Sequence, residues 1–428
     1  MKPTSFAVTF TFHLICNSLS LAQGESAVPF LLIHPSPETN GWGNVGTAVI
    51  SDNPIANIAN PAQLGVFSLG NYFAASSYVG DRQWLPQFQQ SDLTYSVWAM
   101  SAGYDISESI DLPFPIGIAV GYSRVDLNLG EFVITSSSGP DPIGTFSAFE
   151  KAEAVSIGVG IDYYVRLGLG MSFNNVVSSL SPVGTGQAMG PGKAEVSVTD
   201  FGLLLDVPVM DILGKINDER MAIAPNIFPL ANISAGYAHR NHSNKGIVYY
   251  SNQADPLPRN VTIGLSVEAG IATIAGNQDW RLLTFSLARE AEDLLVVRNA
   301  DGTSEYQSGL GDIAFFKHVI RGELSADERV NLHKGWQFNL AEIVYIRGGS
   351  FAESPNFGNR HFSTSGIGIH SSGVFKMIEA LSPETLAGEV GAFIRDHLDI
   401  AYDRAEYTAP YNHPLSNTTF QSLTLVVR

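Results

Sequence analysis

Apolar and polar positions alternate along most of this chain with a period of two. From Ala154 to Val165, Val155, Ile157, Val159, Ile161, Tyr163 and Val165 share one face. Ser156, Gly158, Gly160, Asp162 and Tyr164 share the other. The pattern returns in Val261 to Gly270, where Ile263, Leu265, Val267 and Ala269 oppose Thr262, Gly264, Ser266 and Glu268. Shorter stretches repeat it around Tyr237, Phe285, Phe338, Ile367 and Ile400. A period of two predicts strands with two unlike faces. The longer runs match the ~9–11 residues that a tilted strand needs to cross a bilayer. The runs predict strands near 66–78, 91–104, 114–129, 151–164, 166–180, 194–206, 230–241, 259–270, 281–297, 311–323, 331–347, 364–377, 390–403 and 415–428. About fourteen strands, an even number, fit an all-β, antiparallel transmembrane outer-membrane barrel. Ser136 to Phe149, Val207 to Leu230 and Arg240 to Arg259 read as loops, and Ser325 to Glu328 as a tight turn. Tyr163, Tyr164, Tyr402, Tyr411, Trp98 and Trp336 are candidates for interfacial aromatic girdles. A pair of soluble β-sandwiches also alternates and is the competing architecture.

One region breaks the alternation. Pro29 to Gly65 carries Gly41, Gly43, Gly46 and Gly65 with Pro29, Pro35, Pro37, Pro54 and Pro61, and its apolar residues form short clusters. Its backbone polar groups have no ladder of their own, so order requires enclosure. The expectation is a plug or hatch over 23–65, inside a barrel formed by 66–428. A loose N-terminal arm is the alternative. Small residues on the polar strand faces (Gly158, Gly160, Gly264, Gly366, Gly368) leave lumen volume for a plug or a solute. Within the plug, Trp42, Gly43, Asn60 and Pro61 are the candidate plug or gate residues.

Composition narrows the class. Charged residues make up 15% of the 428, against roughly 25% in an average soluble domain. The net charge of -17 removes nucleic acid as a partner, because that binding needs basic surface. Residues 1–22 read as a cleaved signal peptide, with Lys2 in the n-region and Ser20-Leu21-Ala22 at the cleavage site. Cys16 is the single cysteine and lies in that signal, so the mature chain has no disulfide, thiol nucleophile or cysteine metal site. His13-Leu14-Ile15 before it lacks the small residue of a lipobox. After residue 22 no run approaches the ~18–20 apolar residues of a membrane helix. The expected location is the outer membrane of a Gram-negative cell.

Candidate chemistry adds little. Gly41-x-Gly43-x-x-Gly46 matches a dinucleotide fingerprint as a string, but that motif needs a strand before it and a helix after it. Pro-rich sequence precedes it here and Pro54 follows, so close packing against the barrel wall is the better reading. Asn60-Pro61-Ala62 reads as a turn that fixes where the plug enters the first strand. His239 and His242 read as solvated loop histidines. Asp126, Asp162, Asp206, Glu268, Asp312, Asp399 and Asp403 read as residues that keep a lumen wet. No Gly-x-Ser-x-Gly elbow precedes a helix, and no carboxylate pair has catalytic spacing. The chain therefore reads as non-enzymatic, with no metal and no cofactor.

Several stretches carry a family resemblance. Pro29-Phe30-Leu31-Leu32-Ile33, Gly41-Trp42-Gly43-Asn44-Val45-Gly46-Thr47-Ala48 and Asn60-Pro61-Ala62 resemble the N-terminal region of the PorV/PorQ family. These are outer-membrane barrels related to the fatty-acid transporter FadL. Leu257-Pro258-Arg259-Asn260, Tyr345-Ile346-Arg347-Gly348-Gly349 and His413-Pro414-Leu415-Ser416-Asn417-Thr418 are similar to later parts of that family. The resemblance implies a fourteen-stranded barrel with an N-terminal hatch. It also implies type IX secretion, in which cargo bearing a C-terminal signal domain is shuttled to surface attachment. The partners so implied are outer-membrane lipid, secretion-system proteins and secreted cargo. The FadL side of the family implies passage of hydrophobic molecules such as long-chain fatty acids instead. Pro35-Ser36-Pro37-Glu38 departs from the family's Pro-Asp pair, Trp42 stands where methionine is common, and Arg428 replaces a terminal aromatic.

Overall fold

The computed structural model describes residues 26–428 except 89–91, 108, 137–138, 182–191, 218, 244, 251–252, 277, 300–302, 383–384, 386–387 and 411–412. Residues 1–22, read above as a signal peptide and including Cys16, lie outside the described residues, as does Tyr411. Fourteen antiparallel strands form a closed barrel. They are β1 (Tyr72–Tyr78), β2 (Thr94–Asp105), β3 (Ile116–Ser136), β4 (Gly139–Tyr163), β5 (Val165–Ser181), β6 (Gly192–Pro208) and β7 (Phe228–His242). The ring continues with β8 (Asn260–Ala275), β9 (Gln278–Leu294), β10 (Val330–Leu340), β11 (Val344–Glu353), β12 (His361–His370), β13 (Leu398–Thr408) and β14 (Thr419–Val427). Each strand pairs with its neighbour in sequence. Closure is made at β1, where Phe73 is in register with Ala102 of β2 on one side and Val427 of β14 on the other. A closed ring leaves no free edge, which is how a sheet satisfies its backbone in hydrocarbon.

The alternation sorts residues as the pattern predicts. On β4, Ser156, Gly158 and Gly160 point inward and are enclosed, while Val155, Ile157 and Val159 are exposed on the outside. The apolar stretch from Val155 to Tyr163 is nine residues, ~26 Å from first to last along a tilted strand at ~3.3 Å per residue. Aromatic contacts bracket it: the rings of Trp98 and Tyr122 lie 5.1 Å apart at its upper end, and those of Tyr163 and Tyr164 lie 5.1 Å apart at its lower end. Above the upper pair the outer face turns ionic, with Arg124 against Asp126 at 2.7 Å and Lys151 near Glu153 at 3.4 Å. Asp126 therefore faces outward above the apolar belt and not into the lumen. Among the described residues no helix is long and apolar enough to cross a membrane; the strands supply the span.

The strand count agrees with expectation through two compensating departures. Residues 311–323 form no strand: Phe316–Arg321 is a helical turn. Leu310, Ile313, Phe315 and Val319 lie on the outside of the barrel, over Val261, Ala291 and Val330. Their spacing suits a cap on an outer wall better than a strand facing lipid. Asp312 belongs to this outer segment too. Residues 331–347 divide into β10 and β11, because Ala341 and Glu342 both take left-handed φ of 57° and 55° in a tight hairpin turn. Neither residue is a usual turn former. The expected loop 136–149 is mostly strand, with Phe132 and Phe146 stacked at 5.4 Å across the hairpin. The expected loop 207–230 contains α3 (Val209–Ile216), and 371–397 carries α4 (Ser371–Leu381) and α5 (Glu389–His397) at the lower rim. His239 and His242 sit on β7, partly buried, with ring centroids 5.3 Å apart.

Candidate functional site

The lumen is occupied by the N-terminal segment, residues 26–68. It enters at the upper rim, where Ala27 N–H donates to Pro256 O at 2.8 Å, and descends to Phe67 before the chain turns into β1. Two short helices shape it. In α1 (Pro37–Gly41), Pro37 sits at the first position and the Ser36 hydroxyl accepts from Thr39 N–H at 3.5 Å. In α2 (Ala62–Phe67), Asn60 Oδ1 accepts from Ala62 N–H at 3.0 Å.

Glycines on the wall make room for this segment. A Cβ added at Gly335 would lie 1.8 Å from Trp42 O, and one at Gly349 2.4 Å from Gly43 N. At Gly170 and Gly202 the same atom would meet Pro61 O at 2.1 Å and Asn60 Oδ1 at 2.0 Å. Gly158 and Gly160 face Leu64 and Gly65 in the same way. Gly366 meets Gly41, while Gly264 receives Ala48. Gly368 instead faces Arg347 and Asp403. Gly43 is constrained twice: its φ is +82°, and a Cβ would come within 2.3 Å of Lys334 O.

The four residues singled out by sequence occupy two seats. Trp42 and Gly43 sit against β10 and β11, where the indole N–H of Trp42 donates to Gln337 Oε1 at 3.0 Å. Asn60 and Pro61 sit against β5 and β6. The Asn60 amide donates to Thr47 O at 2.8 Å and to Leu203 O on β6 at 3.3 Å. Asn60 thus ties the segment's own halves together and to the wall, and α2 separates it from the first strand.

Sequence reading missed the wall's polar anchors. Glu290 on β9 is buried, and its carboxylate accepts from Gly46, Thr47 and Ala48 N–H at 2.7–3.1 Å. Three successive amides converging on one anion form a nest, and the Gly46 run is therefore an anion cradle for a side chain of the same molecule. Arg347 on β11 pairs with Asp403 on β13, lies 3.5 Å from Glu38 of α1, and donates to Gln337 at 2.6 Å. The Tyr407 hydroxyl donates to Asn44 Oδ1 at 2.7 Å, and the Tyr78 hydroxyl to Pro35 O at 2.6 Å. Glu290 stands at an inward position of the β9 alternation, which is the one signal that could have marked it.

The lumen has two unlike zones. The upper zone is an apolar core in which Val28, Phe30 and Ile55 pack with Tyr95, Phe420 and the loop residues Ile247 and Leu257. Stacked rings run across its wall, Phe351 to Phe362 at 4.9 Å and Phe362 to Tyr407 at 4.6 Å. The lower zone is a polar vestibule of about 550 Å³ beneath the N-terminal segment, lined by Arg166, Asp206, Glu268, Arg281, Glu342 and Asp399 among others. Asp206, Glu268 and Asp399, expected on the lumen face, line it. Asp206 pairs with Arg166 and accepts from Ser234, and Glu268 pairs with Arg281 at 3.1 Å.

No protein-family model matches the chain, and no curated protein matches it. Among solved structures, a FadL homologue of Pseudomonas aeruginosa is similar at 10% identity and a TM-score of 0.37, over 92% of this chain and 98% of that one. The toluene transporter TodX of Pseudomonas putida is similar at 10% identity and 0.34, over 91% and 96%. CdiB from Acinetobacter baumannii is similar at 9% identity and 0.33, over 83% of this chain and 60% of that one, so the chain spans about three fifths of that protein's length.

Proposed function

We propose that this chain is an outer-membrane β-barrel of the PorV type that serves type IX protein secretion. In this reading residues 23–65 are a plug, Trp42, Gly43, Asn60 and Pro61 seat it, and the barrel handles cargo at its rim without passing solute through its lumen. The role is one of binding, not catalysis. Export is by the cleaved signal at 1–22. The observation that carries the reading is the packed apolar core across the upper lumen, sealed by Phe30, Ile247, Leu257 and the stacked rings. A lumen closed in this way suits a barrel that works through its loops and lipid-facing wall.

A FadL-like channel for hydrophobic molecules is the second reading. It draws support from the polar seam between plug and wall, including Glu290 and Arg347. A seam made of hydrogen bonds and ion pairs can open onto the vestibule without exposing apolar surface.

A pull-down from detergent-solubilised outer membrane, with mass spectrometry of protein and lipid, separates the two. Secreted proteins sharing a C-terminal sandwich domain, recovered with a giant translocon barrel, are the expected result. Fatty acids or other lipids with no protein partner would overturn the secretion role in favour of transport.

A further inference from the structure

Three metal-ligating side chains from different parts of the chain converge inside the barrel. His34 belongs to the N-terminal segment, just before α1. Glu292 lies on β9 and His333 on β10, both pointing inward. Each of the three is buried, and one ligand atom from each lies within 4.8 Å of the others. The imidazole centroids of His34 and His333 are 5.2 Å apart.

The hydrogen bonding leaves these atoms open on the side where they meet. Neither ring nitrogen of His34 has a partner, although the residue is enclosed and its own carbonyl is held by the Asn40 amide at 3.0 Å. A buried imidazole with two idle nitrogens is costly unless something ligates one of them. His333 Nδ1 lies 3.2 Å from Gly43 O, so Nδ1 carries the proton and donates. Nε2 faces Glu292 Oε2 at 3.4 Å, an ion pair when the ring is protonated; in the neutral ring it carries the lone pair that a metal would take. A ring oriented by donating its other nitrogen to a backbone carbonyl is the usual arrangement around a bound metal. Glu292 is divided in the same way. Oε1 accepts from Arg240 at 3.2 Å and from the Asn260 amide, while Oε2 faces His333 Nε2 at 3.4 Å.

We infer that His34, Glu292 and His333 form a site for a divalent transition-metal ion, zinc by its donor set, which staples the N-terminal segment to the barrel wall. Two imidazoles and a carboxylate are a borderline-soft set that suits Zn²⁺. Zinc would need the ligand atoms ~2.0–2.2 Å from a common centre, so binding would draw them closer than the 4.8 Å within which they now lie. Arg240 beside Glu292 adds positive charge and weakens the site. The site is independent of whether the barrel shuttles protein or passes solute.

The test uses the mature barrel in detergent, stripped with chelator and then incubated with Zn²⁺ alone. After gel filtration, elemental analysis is expected to give about one zinc per chain in the wild type and background in His34→Gln, which leaves the wall untouched. His239→Gln with His242→Gln is expected to keep the full zinc content. No retained zinc in the wild type, undiminished zinc in His34→Gln, or loss in the double variant each overturns the proposal. Should His34→Gln fail to fold, X-ray absorption at the zinc edge of the wild type decides alone. Imidazole and carboxylate ligation supports the site, and a spectrum without imidazole overturns it.

Discussion

Glu290 on the barrel wall accepts the backbone N–H of Thr47 at 2.7 Å. A side chain of β9 thus holds the N-terminal segment by its main chain, so the contact does not depend on which side chain Thr47 carries. Glu290→Gln keeps one acceptor oxygen and removes the charge. Hydrogen bonds to charged groups contribute about 1.5–3 kcal/mol against about 1 for neutral ones. The variant is therefore expected to lose about 1–2 kcal/mol of docking for residues 45–49, read by hydrogen exchange of the Gly46, Thr47 and Ala48 amides. Unchanged protection would show that the nest is held by the rest of the seat.

Gly170 and Gly202 face Pro61 and Asn60 with no space for a methyl group. Gly170→Val should push the Asn60-Pro61 seat off β5 and β6, at a cost of about 1–3 kcal/mol or more. Limited proteolysis of the N-terminal segment should rise accordingly. Gly144→Val is the control, since the nearest atom to its Cβ is 3.9 Å away. Equal proteolysis in the two variants would mean that wall glycines do not position the segment.

Ile157 lies on the outer face of β4, 48% exposed, within the apolar belt. An arginine there is expected to cost about 2–4 kcal/mol of membrane stability, the magnitude for a charge near the bilayer midplane. Folding titrations into lipid vesicles measure it. Arginine at Glu153, already in the ionic zone above the belt, should cost far less, and equal costs would remove the belt as the membrane boundary.

The outer segment 310–329 should open in acid. Burial pushes the Glu328 carboxyl up, but hydrogen bonds from Lys317 at 2.6 and 2.7 Å and from His318 outweigh it and hold the group at about 2. A folded value below the unfolded one of ~4.3 stabilises above that value. The contribution is full above about pH 4.3 and is lost as pH falls toward 2. Hydrogen exchange across 313–328, corrected for intrinsic rates, should show protection falling through that window. Glu328→Gln should show a flat profile, and a wild type that is equally flat would remove Glu328 as the latch.

Arg289 adds a second hold on the same segment, donating to Ile320 O at 2.7 Å from the outer face of β9. That contact explains part of what the sequence hid. Residues 311–323 are apolar enough to read as a strand, and only the presence of an outer wall to cover makes a helical turn the better structure. The split of 331–347 was hidden for a different reason. The turn at Ala341 and Glu342 uses left-handed backbone without glycine or asparagine, and the Asn339 side chain supports it by accepting from Glu342 N–H at 2.9 Å.

The sequence by itself determined the barrel. A period of two is a local property, and each strand carries its lipid-facing and inward faces in its own residues, from Val155 and Ile157 to Gly158 and Gly160. It also marked the N-terminal segment as something other than a strand, through the prolines and glycines that deny it a ladder. What only the tertiary structure decided is where that segment's contacts fall. Glu290 meets Thr47 across 243 positions and His333 meets Gly43 across 290. Such pairings depend on ring closure and strand register, which no local pattern encodes. The apolar upper zone was hidden for the same reason. Tyr95, Phe362, Tyr407 and Phe420 each look like one more strand residue, and they form a core only when closure turns them toward a common axis.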